Sequence, residues 1–208
     1  QIELRIMADM SRDNLLIKDF NAGLDIHTAT AARILGKEIE DVTKKERSIG
    51  KTVNFAILFG QTPFGLSSLL KIDSSVALEY IQNYFEHYLG VEEYIRSLEK
   101  EAYKKGYVQT MFGTTRMIGG IRSKNIRMNK AAKREAVNMP IQGSEADIMK
   151  LGMVKLDKLI TKEFSKEAYI LLQVHDELVF EVVEGRIEEF EKKALDILKN
   201  IVSLEVPL

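Results

Sequence analysis

Residues 43–60 read TKKERSIGKTVNFAILFG and hold the start, the body and the end of one helix. Thr43 and Glu46 have the spacing of a capping box, in which each side chain accepts a hydrogen bond from the other residue's backbone N–H. Gly60 is a residue at which helices often end. The stretch therefore predicts a helix that runs from Lys44 and stops at Gly60.

One face of this predicted helix carries two cations followed by two aromatic rings. Arg47, Lys51, Phe55 and Phe59 are spaced four residues apart, so neighbours in this series share a face. Cations near the N-terminal half of a helix oppose its dipole, and a bound polyphosphate would compensate them. An ordinary amphipathic helix, with Phe in the core and cations in water, has the same spacing. The spacing alone leaves both interpretations open.

A second polar cluster lies between two strand-like runs. His175, Asp176 and Glu177 separate residues 169–174 from residues 178–183, which predicts a β-hairpin with acids at its tip. A carboxylate held on a rigid turn suits Mg²⁺, which takes one or two carboxylates together with substrate oxygens. One Asp and one Glu are too few for a two-metal site, so a further carboxylate is needed from elsewhere. A polar turn without metal is the alternative.

The remaining elements are predicted from caps, periodicity, Gly and Pro. Gly90 is predicted to separate two amphipathic helices, and Pro140 and Gly143 to interrupt another. The predicted helices cover residues 25–35 (with Asp25 as N-cap), 74–88, 91–105, 125–136, 145–161 and 186–202, with a short hairpin or loop pair over residues 107–124.

The composition is that of a soluble globular protein. Of 208 residues, 45% are hydrophobic and 29% are charged. The chain has no Cys, which excludes disulfides and thiolate chemistry and leaves the compartment undetermined. No stretch approaches the roughly 20 apolar residues of a membrane span, and the first ten residues show no targeting pattern. We therefore expect no membrane partner.

Charge is distributed unevenly along the chain. Residues 100–135 contain ten Lys or Arg against two Glu, whereas residues 144–208 contain nine against fourteen acids. A basic block beside an acidic block fits an enzyme that binds a polyanion and a metal ion. Solvated helix faces would give the same pattern.

Taken together, these motifs resemble the catalytic core of the family A DNA polymerases, the bacterial DNA polymerase I family. Residues 1–5, QIELR, resemble the second half of the motif DYSQIELR, and residues 47–60 resemble the fingers motif RxxxKxxNFxxxYG. Residues 173–177 resemble the palm motif QVHDE. Residues 25–28 and 138–143 resemble two further family segments. The five blocks follow the family's order over nearly the whole chain, which makes the resemblance specific.

The resemblance implies a helix-rich α+β fold, with fingers and part of an antiparallel-sheet palm of a right-hand polymerase. Residues 1–11 would belong to the palm and carry the second half of the first catalytic motif. Residues 12–105 would form mainly helical fingers. Residues 106–208 would form the rest of fingers and palm, including the catalytic hairpin 169–183. We expect this architecture to be incomplete at both ends.

The implied activity is template-dependent transfer of nucleotides from deoxynucleoside triphosphates to a primer 3′-hydroxyl, with two Mg²⁺ ions. Asp176 would be a metal ligand and Glu177 an auxiliary acid. The Asp of the first motif would lie three residues before Gln1. We therefore expect this chain alone to be inactive, and a complementary polymerase chain or fragment to supply that Asp and the thumb. A nucleotide- and nucleic-acid-binding module without catalysis is the alternative.

Six residues are implied to bind the incoming nucleotide. Arg47 and Lys51 would hold its phosphates, and Lys51 would also protonate the pyrophosphate leaving group. Phe55 would pack against the sugar and base, and we expect it to favour discrimination against dideoxynucleotides. Phe59 replaces the family's usual Tyr, which retains stacking and removes a hydroxyl. The other two are His27, at the phosphates, and Glu3, where a ribose 2′-hydroxyl would lie.

Five residues are implied to contact the DNA template-primer. Arg134, Asn138 and Gln142 would lie along the duplex. Arg116 would touch the DNA backbone, and His175 would contact the primer end. Polar groups at the minor groove can check base-pair geometry without reading sequence.

Overall fold

The computed structural model describes residues 2–208, which divide into two compact units. The first unit comprises residues up to 144 together with 205–207, and the second comprises residues 145–204 with Leu208. Residues 205–207 contact the first unit, where the Glu205 N–H donates to Asp9 Oδ1 at 2.8 Å. Gln1, the first residue of the QIELR block, lies outside the described residues. Among residues 2–208, no helix has the length and apolarity needed to cross a membrane.

The first unit is mainly helical. Its elements are α1 (Ile2–Ser11), α2 (Asn14–Asn21), α3 (Ile26–Leu35), a 3₁₀ turn (Ile39–Asp41), α4 (Lys44–Leu58), α5 (Pro63–Leu70), α6 (Ser74–His87), α7 (Leu89–Lys105), β1 (Tyr107–Gln109), β2 (Thr115–Met117) and part of α8 (Ile126–Glu163). β1 and β2 form an antiparallel pair, as predicted for this region. The helix-rich fold with small antiparallel sheets confirms the predicted fold class.

Local sequence sets the ends of α4. The Thr43 hydroxyl accepts from the Glu46 N–H at 3.3 Å, and Glu46 accepts from the Thr43 N–H at 2.9 Å, which completes the predicted capping box. Gly60 has a φ of +60°, a conformation that side chains with a Cβ disfavour. The predicted helix is confirmed, with its last residue at Leu58.

Helices α3 and α4 pack in direct backbone contact through Gly50. A Cβ at residue 50 would lie 2.2 Å from the His27 carbonyl oxygen, so only glycine permits this approach. One turn later, the buried Asn54 amide donates to the Thr30 hydroxyl at 3.0 Å and lies 3.3 Å from His27 Nδ1. These contacts fix α3 against α4 and thereby fix the position of His27.

Gly90 does not separate two helices, and that prediction is wrong. The break lies at Tyr88, and Gly90 is in the first turn of α7. The Gly90 N–H donates to Asp13 Oδ2 at 2.8 Å, and a Cβ there would lie 2.8 Å from the Asp13 Cα. The glycine is therefore explained by close packing of α7 on the start of α2.

The predicted interruption of α8 is also wrong, because α8 continues through Pro140 and Gly143. An interior proline costs one helical hydrogen bond, but buried Ala136 and Ile141 on either side hold the helix in the core. Gly143 permits close packing, since a Cβ there would lie 2.6 Å from Thr110 Cγ2. Both residues interrupt the sequence pattern without interrupting the helix.

One buried ion pair connects α2, α3 and the junction between α6 and α7. Arg33 donates to Asp19 Oδ1 at 2.8 Å and to the Tyr88 hydroxyl at 2.7 Å. Asp19 is 3% exposed and Tyr88 is fully buried, so these charges and the hydroxyl satisfy one another away from water. Burial raises the pKa of Tyr88 to about 12.

The second unit is built around one hairpin and two helices. It contains the rest of α8, β3 (Ala168–Val174), β4 (Glu177–Val182), a 3₁₀ turn (Glu184–Arg186) and α9 (Ile187–Lys199). The predicted antiparallel hairpin is confirmed, whereas the last helix ends three residues before the predicted end. Phe190 packs against Phe164 and Phe180 with ring centroids 5.3 Å and 5.1 Å apart, and these rings form much of the core.

Candidate functional site

The exposed face of α4 forms one wall of a cleft of about 370 Å³. Lys51, Phe55 and Phe59 line it, so three of the residues predicted to bind nucleotide come together. The rings of Phe55 and Phe59 are nearly parallel, with centroids 5.9 Å apart and an angle of 12° between their planes. The other lining residues are Ser48, Thr52, Ala56, Gln61 and Leu69.

Lys51 offers an unpaired positive charge at this cleft. Its side chain is exposed, and no carboxylate of residues 2–208 forms an ion pair with it. An exposed ammonium beside two aromatic rings is suited to an anion that carries a flat, apolar group. A nucleotide has both features.

Arg47, one turn before Lys51, is already paired. Its Nε donates to Asp25 Oδ1 at 3.0 Å and its Nη2 donates to Asp25 Oδ2 at 2.7 Å. The same carboxylate caps α3 by accepting from the Thr28 N–H at 2.8 Å. The hydrogen bond from Arg47 holds the pKa of Asp25 well below its usual range. A phosphate that binds Arg47 therefore competes with Asp25.

His27 lies beside the ring pair but is buried. It is 4% exposed, and its ring centroid is 6.1 Å from that of Phe55. Burial lowers the pKa of His27, so the ring is neutral near pH 7. The Asn54 amide can donate to Nδ1, which leaves Nε2 to carry the proton. Glu3, the remaining predicted nucleotide residue, lies half-buried in the first turn of α1.

Helix α8 brings two of the predicted DNA-binding residues to the end of α4. Arg134 is exposed and packs over Gly60. A Cβ added to Gly60 would lie 3.1 Å from the Arg134 Cγ. With its amide nitrogen facing the helix end, Asn138 donates to the Leu58 carbonyl at 2.8 Å. Asn138 therefore holds α8 against α4, and Arg134 presents its charge beside the glycine that ends the α4 motif.

The two other predicted DNA residues of the first unit differ in their surroundings. Gln142 is exposed on α8. Arg116 on β2 pairs with Glu135 on α8, with 3.1 Å between Nε and Oε1, and its side chain is 62% exposed. Exposed pairs of this kind contribute little to stability, about 0–1 kcal/mol, so a DNA phosphate could replace Glu135 at small cost.

The hairpin tip belongs to the second unit. His175 and Asp176 are the two turn residues, and Glu177 is the first residue of β4, paired with Val174. All three polar side chains are exposed. His175 has a φ of +54°, a left-handed conformation that costs a residue with a Cβ roughly 1–2 kcal/mol. Such strain in a turn is frequent at functional sites.

The acids of the tip provide hard oxygen donors of the type that Mg²⁺ prefers. Asp176 and Glu177 adjoin in sequence and carry exposed carboxylates. The part of the chain that the structure describes, residues 2–208, holds no group of three or more His, Asp or Glu with the arrangement of a metal site. The carboxylates of Asp176 and Glu177 therefore have the chemistry of part of the ligand set of a magnesium site.

Sequence reasoning did not identify Asp25 as the partner of Arg47 or Gly50 as the contact that fixes His27. Asp25 was predicted only as a helix cap, and its second partner comes from a helix about twenty residues away. A glycine inside a helical pattern is a signal of close packing. Gly50 carried that signal, but the partner helix became evident only in the structure.

Comparisons with known proteins agree over the whole chain. The model of DNA polymerase family A matches residues 1–208. DNA polymerase I of Streptococcus pneumoniae is 43% identical over 209 residues, which are 100% of this chain and 24% of that protein. DNA polymerase I of Caldicellulosiruptor bescii is 44% identical over 211 residues, again 100% of this chain and 24% of that protein.

A solved structure shows the same similarity. The POL domain of Pol1 from M. smegmatis, in complex with DNA primer-template and dNTP, superimposes with a TM-score of 0.95 and is 40% identical. The match covers 100% of this chain and 36% of that one. The chain thus spans about a quarter of the length of the curated relatives it matches.

Proposed function

This chain belongs to DNA polymerase family A, and we propose that it forms the nucleotide-binding and template-binding part of a polymerase active site. In the proposed reaction the primer 3′-oxygen bonds to the α-phosphorus of a deoxynucleoside triphosphate, and the bond to pyrophosphate breaks. The observation that carries this proposal is the α4 cleft, where unpaired Lys51 lies beside the parallel rings of Phe55 and Phe59.

In this proposal the phosphates bind along the N-terminal half of α4. Phosphoryl transfer depends on alignment and on neutralising the charge that develops on phosphate oxygens. Lys51 supplies an unpaired ammonium, which would also protonate the leaving pyrophosphate. Arg47 would exchange Asp25 for a phosphate, and neutral His27 would donate a hydrogen bond from Nε2. The triphosphate would then be held by groups on two packed helices, α3 and α4.

The base and sugar of the nucleotide would contact the aromatic part of the cleft. Stacking on Phe55 and Phe59 tolerates every base, because each base has a π-face. This suits an enzyme whose choice of nucleotide is dictated by a template strand. We further propose that Glu3, on α1, disfavours a ribose 2′-hydroxyl.

We propose that Asp176 holds Mg²⁺, with Glu177 as an auxiliary acid. Two bound Mg²⁺ ions would activate the primer hydroxyl and neutralise the leaving pyrophosphate. The β3–β4 hairpin would hold the two carboxylates at its turn. The complete site would also need the Asp of the first motif, which the resemblance places three residues before Gln1.

The template-primer would contact α8 and the two hairpins. Arg134 would bind a phosphate, and Asn138 would act mainly by holding α8 to the end of α4. Gln142 would contact the minor groove, and Arg116 would exchange Glu135 for a backbone phosphate. His175 would contact the primer end next to the metal ligand. In this scheme residues 12–105 are the fingers, and residues 1–11 and the hairpin 169–183 belong to the palm.

Template-directed incorporation of deoxynucleotides tests this function. The assay combines this chain with a polypeptide that contains the first motif's Asp-Tyr-Ser, in the presence of Mg²⁺ and a template-primer. Incorporation directed by the template supports the proposal. Nucleotide binding without incorporation under these conditions would favour a binding module without catalysis.

A further inference from the structure

Residues of the basic block 100–135 line two clefts on the first unit. One cleft, of about 470 Å³, lies between α7 and α8, and a second, of about 230 Å³, is lined by α6, α7, α8 and the end of α4; both include Glu99 and Lys133. Tyr103 lines the first cleft, and Arg134 and Gly60 line the second. The clefts adjoin at the ion pair of Glu99 and Lys133, and together they form one surface that reaches Gly60 at the end of α4. We call it the α7–α8 groove.

The charges of the α7–α8 groove are predominantly positive. Arg96 pairs with Glu92 at 2.6 Å and Lys133 pairs with Glu99 at 2.7 Å. Three further lining cations, namely Lys100, Lys130 and Arg134, form no ion pair with any carboxylate of residues 2–208. Unpaired cations along a groove attract a polyanion, and they do so most strongly at low salt.

An exposed aromatic ring lies at the far end of the groove. Tyr103 is 61% exposed, although it is a large ring at the surface of a helix. Arg122 lies against it, with its guanidinium carbon 5.9 Å from the ring centroid. Arg122 is held there because it donates to the carbonyls of Tyr103 and Lys104, both at 2.8 Å. The ring and the guanidinium together form a fixed platform.

We propose that the α7–α8 groove binds single-stranded DNA, with phosphates at Lys100 and Lys130 and one base stacked on Tyr103. Cations that follow the backbone, together with an aromatic ring that stacks a base, are the combination that binds unpaired strands. A duplex does not offer a free base face to Tyr103. Only the identity of this strand rests on the proposed function. If that function holds, the strand is the template ahead of the primer end.

The stacking part of the proposal is tested by equilibrium binding of a labelled oligothymidylate of about 12 nucleotides. No nucleotide, Mg²⁺ or complementary fragment is added, so the measurement is independent of polymerase activity. Tyr103→Ala should weaken binding roughly 10-fold, whereas Tyr103→Phe, which keeps the ring, should bind like the wild type. Tyr103 is exposed, and circular dichroism confirms that both variants are folded.

The electrostatic part is tested by the salt dependence of the same binding. Lys100→Gln should reduce the slope of log K against log salt by about 0.7, the value for one phosphate contact on a single strand. Lys18→Gln on α2 makes the same charge change outside the groove and should leave the slope unchanged. Tyr103→Ala should lower the affinity without changing the slope.

Two outcomes overturn the proposal. One is that Tyr103→Ala binds the oligothymidylate as tightly as the wild type. The other is that Lys100→Gln and Lys18→Gln reduce the slope of log K against log salt equally. Either outcome would leave the proposed polymerase function intact if primer extension occurs. Conversely, the variants could change binding as predicted while no primer extension occurs. That result would support the groove and count against the polymerase function.

Discussion

At the scale of single residues, two neighbouring cations on α4 differ in what neutralises them. Arg47 is held in a two-point contact by Asp25, whereas Lys51 has no ion-pair partner among residues 2–208. A phosphate gains the full charge-assisted interaction at Lys51, because no existing ion pair must be broken there. Lys51 should therefore contribute more to nucleotide affinity than its position on an exposed face suggests.

Lys51→Gln should weaken binding of a deoxynucleoside triphosphate by about 10- to 100-fold, since a hydrogen bond to a charged group contributes roughly 1.5–3 kcal/mol. Titration with a fluorescent nucleotide measures this directly. Lys45→Gln is the matched control, because Lys45 is an exposed lysine on the same helix that does not line the cleft. Equal losses in the two variants would mean that the helix attracts phosphates only through its overall charge.

Glu46 should make stability depend on pH. Hydrogen bonds from Lys37 and from the Thr43 N–H lower the pKa of Glu46 from 4.5 to about 2. Because the folded pKa lies below the ordinary one, the charged carboxylate stabilises the fold fully above about pH 4.5, and this contribution is lost as the pH falls toward 2.

Glu46→Gln tests this dependence, since Gln can also form a capping box. The variant should be less stable than the wild type at pH 7, and the difference should shrink as the pH falls below 4.5. Denaturant unfolding at several pH values gives both free energies. A difference that stays constant from pH 7 to pH 3 would show that the charge of Glu46 has no role.

At the scale of elements, the contact between α3 and α4 depends on Gly50. A methyl group there meets backbone atoms, with the His27 oxygen at 2.2 Å and the Ala31 nitrogen at 2.8 Å. Gly50→Ala should therefore lower the free energy of unfolding by at least about 2 kcal/mol. Gly119→Ala, which adds the same methyl group with no heavy atom within 4 Å, should change stability by less than about 1 kcal/mol. Similar losses in both variants would contradict this account of the packing.

The ion pair of Arg33 and Asp19 joins α2 and α3 in the first unit. Arg33→Met leaves a buried carboxylate without its partner and should cost about 3–5 kcal/mol of unfolding free energy. The double variant Arg33→Met/Asp19→Asn removes both charges and should lose less than the sum of the single variants. Additive losses would show that the two residues stabilise the fold independently.

How far the elements could be predicted depends on the range of the interactions that set them. The caps at Asp25 and Thr43 involve residues three positions apart, and they were predicted correctly. Gly90 and Pro140 have the local signature of a helix break, but both lie inside helices that tertiary packing holds together. The packing partner of Gly90 is Asp13, which is 77 positions away and invisible to a local pattern.

The candidate site follows the same rule. The shared face of Lys51, Phe55 and Phe59 follows from helical spacing, and the structure places all three in one cleft. The pairing of Arg47 with Asp25 depends on how α3 packs against α4, which the spacing does not contain. The groove at Tyr103 forms between α7 and α8, and its geometry depends on how these two helices pack, although its charge follows from the basic block in the sequence.

At the scale of the whole molecule, the central claim is that Asp176 provides part of a metal site for DNA synthesis. The chain has 208 residues and spans 24% of its pneumococcal relative. A polymerase site assembled from this chain and a polypeptide with the first motif's Asp would have a simple signature. Activity would require Mg²⁺ and the Asp176 carboxylate.

Primer extension is the most direct measurement of this claim. The chain, alone or mixed with a polypeptide that ends in the first motif's Asp-Tyr-Ser, is given Mg²⁺, four deoxynucleotides and a template-primer. We predict that the mixture extends the primer, that Asp176→Asn abolishes this extension, and that Asp157→Asn, at an exposed aspartate on α8, retains it. Undiminished extension by the mixture containing Asp176→Asn would contradict the account.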